Sequence, residues 1–178
     1  MPARNLVLTG FMGVGKTTIG RRLAARLGRP FLDFDEEIVR RAGRTIPEIF
    51  ATEGEVAFRA WEAALCREWD QPRGWVLATG GGTCLDPTNR ARLEAGGYVF
   101  FLYADLEEVA RRLAGGGDRP LLRLGPGETL LDRLRTLWAA REAAYRAIPR
   151  WIDTTGRPPE AVVEEILRQY RTLEAEGE

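Results

Sequence analysis

One stretch of the chain matches the pattern of a phosphate-binding loop, G-x-x-x-x-G-K-[ST]: Gly10-Phe11-Met12-Gly13-Val14-Gly15-Lys16-Thr17. Glycines let the backbone of such a loop curl, so that its N–H groups point at phosphate oxygens. An apolar run at residues 6–8 precedes the loop and an amphipathic helical pattern follows it, which is the context that the motif requires. We therefore predict a nucleotide phosphate site between a buried strand and a helix N-terminus.

The polar residues of this loop have distinct predicted roles. Lys16 reaches the β- and γ-phosphates of ATP, and the hydroxyl of Thr17 binds magnesium. Lys16 is also the one lysine of the chain, since 25 of the 26 basic residues are arginines. A compact ammonium suits a phosphate cradle into which a planar guanidinium fits less well. The predicted nucleotide-binding residues of the loop are Gly10, Met12, Gly13, Val14, Gly15, Lys16, Thr17 and Thr18.

Composition excludes several classes of function. The chain of 178 residues has a formal net charge of zero, so the basic surface of a nucleic-acid-binding protein is not expected. It contains no histidine, which excludes histidine acid–base catalysis and histidine-ligated zinc. No apolar run reaches the ~18 residues of a membrane span, and the N-terminus has no signal-peptide pattern. Cys66 and Cys84 are predicted to be buried thiols, and the protein to be cytoplasmic.

The order of the predicted elements indicates an α/β fold. Strands that alternate with helices form a parallel sheet with helices on both faces. Ligands then bind beyond the carboxyl ends of the strands. The length predicts a single domain, residues 1–178. The apolar runs that predict strands lie at residues 6–8, 31–34, 75–78, 98–103 and 151–152.

Two carboxylates lie at the end of the second predicted strand. Asp33 and Asp35 flank Phe34, and in an extended strand both side chains would point to the same side, about 6–7 Å apart. At that spacing both carboxylates stay ionised. One could order magnesium through water while the other accepts a hydrogen bond from a substrate hydroxyl. The alternative is that an aspartate caps a helix beside the acidic stretch Glu36-Glu37.

Two arginines are candidates for binding an anion. Arg59 and Glu62 lie three residues apart on a predicted helix, so the carboxylate can hold the guanidinium in place, although an exposed ion pair has the same spacing. Arg141 continues the apolar stripe of Leu134 and Leu137 on a later helix. A buried guanidinium needs an anion, and that anion could be a ligand or an internal carboxylate.

Two glycine-rich segments complete the candidate site. Gly80-Gly81-Gly82 follows a predicted strand, and three glycines indicate that a ligand approaches the backbone and takes its N–H groups. Gly115-Gly116-Gly117 precedes Arg119, which favours a lid that closes over phosphates and excludes water. The alternative for this second segment is a mobile connector with a surface arginine.

The ordered motifs resemble those of the shikimate kinase family over essentially the whole chain. The resemblance implies a P-loop NTPase fold of the nucleoside-monophosphate-kinase type, with a five-stranded parallel sheet, a substrate-binding region at about 33–62 and a lid at about 112–124. It also implies transfer of the γ-phosphoryl group of ATP to the 3-hydroxyl of shikimate, a step of aromatic amino-acid biosynthesis. The motifs are residues 10–17, Asp33-Phe34-Asp35, Phe58-Arg59-x-x-Glu62, Gly80-Gly81-Gly82, Arg119-Pro120-Leu121-Leu122 and Arg141.

The resemblance implies a role for each of these residues. Arg59 and Arg141 would bind the shikimate carboxylate. Asp35 would bind ring hydroxyls and orient or deprotonate the attacking one, and Asp33 would act on magnesium through water. Lys16, Asp35 and Arg119 are the implied catalytic residues. The other implied contacts join Gly80, Gly81 and Gly82 to a substrate hydroxyl, Arg119 to the γ-phosphate, and Arg112 and Arg157 to the adenine.

Other functions fit the sequence less well. A GTPase is excluded because its N-K-x-D base-reading motif needs a second lysine. A gluconate kinase or a nucleoside monophosphate kinase has no evident use for the Asp-x-Asp, Arg-x-x-Glu and triple-glycine motifs together. A non-catalytic nucleotide-binding module would require a degraded site. We therefore expect a monomeric kinase that uses ATP and Mg²⁺ and acts on shikimate, without a nucleic acid or membrane partner.

Overall fold

The central element of the molecule is a five-stranded parallel sheet. The computed structural model describes residues 3–115 and 120–176, and the strands lie in the order β2-β3-β1-β4-β5. The predicted strands are all present, close to their expected bounds. They are β1 (Asn5–Gly10), β2 (Phe31–Asp33), β3 (Val76–Ala78), β4 (Gly97–Tyr103) and β5 (Trp151–Asp153).

Helices connect the strands, as the alternating pattern predicts. Short 3₁₀ turns lie at Thr83–Leu85 and Pro120–Leu122. The α-helices of the described residues are α1 (Lys16–Leu27), α2 (Phe34–Ala42), α3 (Ile46–Glu68), α4 (Pro87–Gly96), α5 (Leu106–Leu113), α6 (Leu130–Arg146) and α7 (Pro159–Glu176).

Local sequence signals fix the ends of several helices. Thr45 begins α3 with a capping box, in which its side chain and that of Glu48 each accept a hydrogen bond from the other's backbone N–H. Asp86 caps α4 through its side chain. Gly28 ends α1 in the left-handed conformation, with φ of 62°. Gly54, with φ of 81° and ψ of 175°, interrupts α3, so two helical stretches meet there.

Helices cover both faces of the sheet because parallel connections are right-handed. The chain leaves β1 towards one edge to form β2, and then runs back across the sheet through β3, β4 and β5. Connections that run in opposite directions lie on opposite faces. This puts α1 on one face and α3 and α4 on the other, and α7 packs beside α1. The predicted α/β fold is therefore confirmed.

The strand order creates a crevice between β1 and β3. These two strands pair directly, with Leu8 opposite Ala78, yet the chain leaves them over opposite faces of the sheet. Ligands of open α/β sheets bind at such a switch point, beyond the carboxyl ends of the strands. The phosphate loop (residues 10–17) follows β1, and the glycine loop (residues 80–82) follows β3. The topology therefore brings the two loops together.

A cluster of aromatic rings anchors the phosphate loop to the core. The ring centroid of Tyr145 on α6 lies 4.7 Å from that of Phe101 on β4 and 5.6 Å from that of Trp138. Phe11, from the phosphate loop, packs edge-on against Trp138 at 5.8 Å and against Tyr145 at 6.4 Å. This aromatic cluster (Phe11, Phe101, Trp138 and Tyr145) fixes α6 relative to the loop.

Two predictions made from composition can be compared with the structure. Cys66 and Cys84 are free and buried, as expected. Burial raises the pKa of both thiols, that of Cys84 to about 11, so neither is a reactive thiolate at neutral pH. Within residues 3–115 and 120–176, none of the helices combines the length and the apolar character needed to cross a bilayer.

Replacement of Gly10 by alanine should strongly destabilise the fold. Gly10 has φ of 148°, and an added Cβ would overlap the carbonyl oxygen of Leu102, its partner on β4. We expect Gly10→Ala to lower the free energy of unfolding in urea by about 3 kcal/mol. Gly28→Ala is the matched control, because Gly28 also has positive φ but would place its Cβ in open space. It should lose only about 1 kcal/mol. Equal losses would contradict the role of the Leu102 contact.

Candidate active site

The phosphate loop has the conformation that its glycines predict. The φ values are 148° at Gly10, 73° at Gly13 and 97° at Gly15, and α1 begins directly after them. The side chain of Lys16 folds back over the loop, where its Nζ donates hydrogen bonds of 2.8 Å to the carbonyl oxygens of Gly10 and Phe11. The ammonium is therefore held against the backbone that would cradle a phosphate, at the positive end of α1.

Asp33 connects the second strand to the phosphate loop. Its Oδ2 accepts a hydrogen bond of 2.6 Å from Oγ1 of Thr17. Its Oδ1 accepts bonds from the backbone N–H groups of Asp35, at 2.9 Å, and Glu36, at 3.3 Å. Asp33 thus caps α2 and also places a carboxylate oxygen beside the Thr17 hydroxyl. Oxygen donors of this kind are the ligands that Mg²⁺ prefers in proteins.

The expected extended geometry of the two aspartates is wrong. β2 ends at Asp33 and α2 begins at Phe34, so Asp35 lies in the first helical turn. A helix forms here because Asp33 is a good N-cap and because Phe34 and Ile38 are fully buried on the inner face of α2. The helix-capping alternative holds for Asp33, while Asp35 faces a pocket.

A pocket of about 400 Å³ opens beside the phosphate loop. We call it the arginine pocket, because Arg59 and Arg141 both line it. Its walls come from the phosphate loop, α2, α3, the glycine loop, the Pro120–Leu122 turn and α6. It brings together residues that the sequence places more than 100 positions apart. The predicted residues that line it are Met12, Asp35, Arg59, Gly80, Gly81, Gly82 and Arg141.

Arg59 is held by two glutamates. Its Nη1 lies 2.6 Å from Oε2 of Glu62, and its Nη2 lies 2.9 Å from Oε1 of Glu55. Glu62 is fully buried, and its other oxygen accepts a 2.6 Å hydrogen bond from Oγ1 of Thr83. Burial alone would lower the pKa of Arg59, but the two carboxylates outweigh it and raise the pKa above its usual value. The Arg59–Glu62 ion pair is therefore part of the structure of the pocket. It differs from an exposed surface pair because its carboxylate is fully buried.

Arg141 is a buried residue of the arginine pocket. The residue is only 7% exposed, and its guanidinium carbon lies 5.9 Å from the ring centroid of Phe11. Within the part of the chain that the structure describes, Arg141 forms no ion pair. A buried charge is stable only with a matching charge or dipole. The internal-carboxylate alternative therefore receives no support from the described residues, and the guanidinium faces the pocket.

Close packing by the protein itself explains two of the three loop glycines. A Cβ at Gly80 would lie 2.5 Å from Oε1 of Glu62 and 3.1 Å from Oδ1 of Asp35. A Cβ at Gly82 would lie 2.7 Å from the guanidinium carbon of Arg59. The prediction that a ligand approaches the backbone is therefore incomplete, since Glu62 and Arg59 already need this space.

A second pocket, of about 320 Å³, lies on the other side of the phosphate loop. Arg112 on α5 reaches across to this loop, with Nη1 3.3 Å from the carbonyl oxygen of Gly13 and Nη2 3.0 Å from that of Thr154. Arg157 is fixed by a 2.6 Å ion pair with Glu165. We call this the outer pocket. The predicted nucleotide-binding residues that line it are Val14, Gly15, Thr18, Arg112 and Arg157.

Only part of the predicted lid can be placed. Arg119 lies outside the described residues, as do the neighbouring glycines Gly116 and Gly117. Leu121, near the end of the predicted segment 112–124, lines the arginine pocket, and its carbonyl oxygen accepts a 2.9 Å hydrogen bond from Nε of Arg133. The described end of the segment therefore contributes to the pocket wall.

Sequence reasoning missed two residues that support the arginine pocket from behind and most of the pocket's apolar wall. The hydroxyl of Thr83 supports Glu62, and that of Tyr145 donates to the carbonyl oxygen of Gly81. Tyr145 lies on the apolar stripe that contains Arg141, which is a signal that could have identified it. The apolar wall leaves no such signal, because its residues look like ordinary core positions. They are Val39, Ile46, Pro47 and Phe50.

The fold and the two pockets define a class of protein. A phosphate loop at the switch point of a parallel sheet, beside a pocket lined by arginines and carboxylates, is typical of a P-loop kinase that acts on a small molecule. Residues 12–171 match the family model described as shikimate kinase. The chain belongs to the shikimate kinase family, and the prediction of an ATP-dependent phosphotransferase of this family is confirmed.

Known relatives agree with this assignment. A shikimate kinase of Desulforudis audaxviator is 45% identical over 175 residues, which cover 97% of this chain and 90% of the relative. The solved structure of a shikimate kinase from Acinetobacter baumannii in complex with shikimate has a TM-score of 0.88 and 40% identity, covering 96% of this chain and 94% of that one. A gluconokinase structure from Sinorhizobium meliloti covers 99% of this chain and 98% of its own, but at 20% identity and a TM-score of 0.58 it shares only the fold. The gluconate kinase alternative is therefore not favoured.

Proposed function

We propose that this protein transfers the γ-phosphoryl group of ATP to the 3-hydroxyl of shikimate, giving shikimate 3-phosphate and ADP. The observation that carries the proposal is the arginine pocket, where a buried guanidinium without a described carboxylate partner lies beside a phosphate loop. A small carboxylic acid with several hydroxyls complements this pocket. The ring of shikimate also has an apolar face, which matches the wall that contains Phe50 and Phe58.

The substrate carboxylate lies between Arg59 and Arg141. Arg59 is anchored from behind by Glu62 and Glu55, so that its position does not depend on the ligand. Arg141 has no such anchor among the described residues, and the carboxylate supplies the missing negative charge. Charge-assisted hydrogen bonds of this kind are about twice as strong as neutral ones.

Asp35 orients the hydroxyl that attacks. It lies in the first turn of α2 and lines the arginine pocket. Its Oδ1 is close to the glycine loop, since a Cβ added to Gly80 would lie 3.1 Å from it. A carboxylate there accepts a hydrogen bond from the 3-hydroxyl of shikimate and takes its proton as the new O–P bond forms and the bond to ADP breaks. The backbone of the glycine loop binds a second hydroxyl.

ATP extends from the outer pocket across the phosphate loop. Adenine lies between Arg112 and Arg157, and Lys16 contacts the β- and γ-phosphates. Mg²⁺ fits the donor set that the structure shows, in which the Thr17 hydroxyl lies 2.6 Å from a carboxylate oxygen of Asp33. Thr17 would bind the ion directly and Asp33 through water, and the ion would neutralise charge between the phosphates. Few protein ligands are usual for Mg²⁺, which keeps several waters.

The proposal also covers the lid, the oligomeric state and the cellular location of the protein. Residues 112–124 form a lid, and Arg119 contacts the γ-phosphate when it closes. The whole chain, residues 1–178, acts as a single domain and a monomer. A cytoplasmic location suits Cys66 and Cys84, whose thiols are free and have raised pKa values.

A panel of acceptors tests the reaction itself. Purified protein with ATP and Mg²⁺ should release ADP when given shikimate, and far less when given gluconate or AMP. Phosphorus NMR of the product should show a phosphate ester at the 3-position of the ring. ADP release with gluconate or AMP but not with shikimate would overturn the proposal.

Removal of Arg141 should weaken the binding of shikimate. We expect Arg141→Ala to raise the KM for shikimate by about 10- to 100-fold, which corresponds to the roughly 1.5–3 kcal/mol of a hydrogen bond to a charged group. The KM for ATP should stay close to that of the wild type. Arg146→Ala is the matched control, since Arg146 lies on the same helix but forms an exposed pair with Glu142. An unchanged KM for shikimate in Arg141→Ala would remove this residue from the site.

Lys16 should be essential for turnover but not for folding. Its ammonium is half-buried and contacts backbone carbonyls, so Lys16→Ala should retain the melting temperature approximately while kcat falls by more than about 100-fold. Lys16→Arg keeps the charge but presents a larger planar group, and we expect it to remain far below the wild type. Near-normal turnover of Lys16→Ala would exclude the proposed phosphate contact.

Asp33→Asn separates helix capping from metal binding. Asparagine caps helices as well as aspartate does, so α2 should remain folded, but the lost charge weakens the hold on Mg²⁺. We expect the Mg²⁺ concentration for half-maximal activity to rise several-fold. Asp86→Asn is the control, because Asp86 caps α4 in the same way but touches neither pocket. Identical Mg²⁺ titrations of the two variants would show that Asp33 has only a capping role.

A further inference from the structure

One buried hydroxyl joins the two sides of the arginine pocket. The Oη of Tyr145, on α6, donates a hydrogen bond of 2.6 Å to the carbonyl oxygen of Gly81, in the glycine loop. Tyr145 is fully buried, and it lies one helical turn after Arg141 on the same helix. The next residue of the glycine loop, Gly82, lies against the guanidinium of Arg59. The hydroxyl thus connects the glycine loop, which lies against Arg59, to helix α6, which carries Arg141.

We propose that Tyr145 is a positioning residue that sets the spacing between Arg59 and Arg141, and thereby the fit of the carboxylate that they hold. This inference rests on the proposed function, because it needs both arginines to bind one carboxylate. Tyr145 itself does not touch the substrate in this account. It acts through the glycine loop and through α6.

The position of the hydroxyl is fixed by packing. The Tyr145 ring lies between Phe101, at 4.7 Å, and Trp138, at 5.6 Å, and Phe11 of the phosphate loop packs against it at 6.4 Å. Close-packed rings leave little room for another rotamer. The aromatic cluster therefore holds the hydroxyl at one place, and the Gly81 carbonyl must come to it.

Arg141 lies next to the same hydroxyl. Burial raises the pKa of Tyr145, and the positive charge of Arg141 and its hydrogen bond to the phenol oppose this rise. The ring of Phe11 lies under the guanidinium on another side, at 5.9 Å. Tyr145 and Phe11 therefore restrict where Arg141 can point before any ligand binds. A guanidinium positioned in advance binds with a smaller loss of conformational entropy.

The test compares two variants, each of which lacks one tyrosine hydroxyl. In Tyr145→Phe the ring packing is kept, and the hydroxyl is removed together with its bond to Gly81 and its contact with Arg141. Tyr98→Phe is the matched control, because the Tyr98 hydroxyl also donates to a backbone carbonyl, that of Leu173 at 2.9 Å, and Tyr98 lines neither pocket. Both variants are assayed for shikimate phosphorylation, with the KM for shikimate, the KM for ATP and kcat measured separately.

We expect Tyr145→Phe to raise the KM for shikimate by about three- to tenfold, the effect of one lost buried hydrogen bond, with the KM for ATP within about twofold of the wild type. Tyr98→Phe should leave both KM values unchanged. Calorimetric titration with shikimate in the absence of nucleotide should show the same loss of affinity, and this measurement does not depend on turnover.

Two results would overturn the inference. In one, Tyr145→Phe and Tyr98→Phe have the same KM for shikimate. In the other, both KM values of Tyr145→Phe rise together, as a general loosening of the fold would cause. The proposed function is judged separately by the wild type: if the wild type does not phosphorylate shikimate, that function fails. An active wild type with an unaffected Tyr145→Phe variant removes only the positioning role.

Discussion

A buried positive charge that needs an anion is the constraint on which the arrangement of this site depends. Removing a guanidinium from water costs several kcal/mol unless a matching charge offsets it. Arg59 meets that need inside the protein, through the fully buried Glu62. Arg141 does not, within the residues that the structure describes, and it faces a pocket beside the phosphate loop. Under the proposed function, the binding of an anionic acceptor completes an electrostatic balance that the described residues leave open.

The sheet topology brings this charge close to the nucleotide. β1 and β3 are neighbours in the sheet, yet their chains leave over opposite faces, and the loops that follow them share one crevice. Under the proposed function, one loop cradles phosphates and the other supports the acceptor. Asp33 connects the phosphate loop to α2, because it caps that helix while it accepts a hydrogen bond from Thr17. In that proposal, the ends of the same few strands position both the phosphoryl donor and its acceptor.

Much of this arrangement could be predicted from the sequence, because its signals are local. The phosphate loop follows from consecutive residues, and the parallel sheet follows from alternating patterns. The geometry of Asp35 was predicted wrongly, since a strand pattern cannot show that Asp33 starts a helix at Phe34. Contacts between distant residues leave no local signal. The sequence shows glycines at 80 and 82 but not the reason for them. Glu62 and Arg59 occupy the space that a side chain would need at these positions, and folding alone brings them there.

The central claim is that the pocket recognises a carboxylate through its two arginines, and calorimetry can test it directly. Wild-type protein is titrated with shikimate and with its methyl ester, which keeps the ring and the hydroxyls but removes the negative charge. The account predicts that shikimate binds and that the ester binds at least about 10-fold more weakly. Equal affinities for the acid and the ester would contradict it.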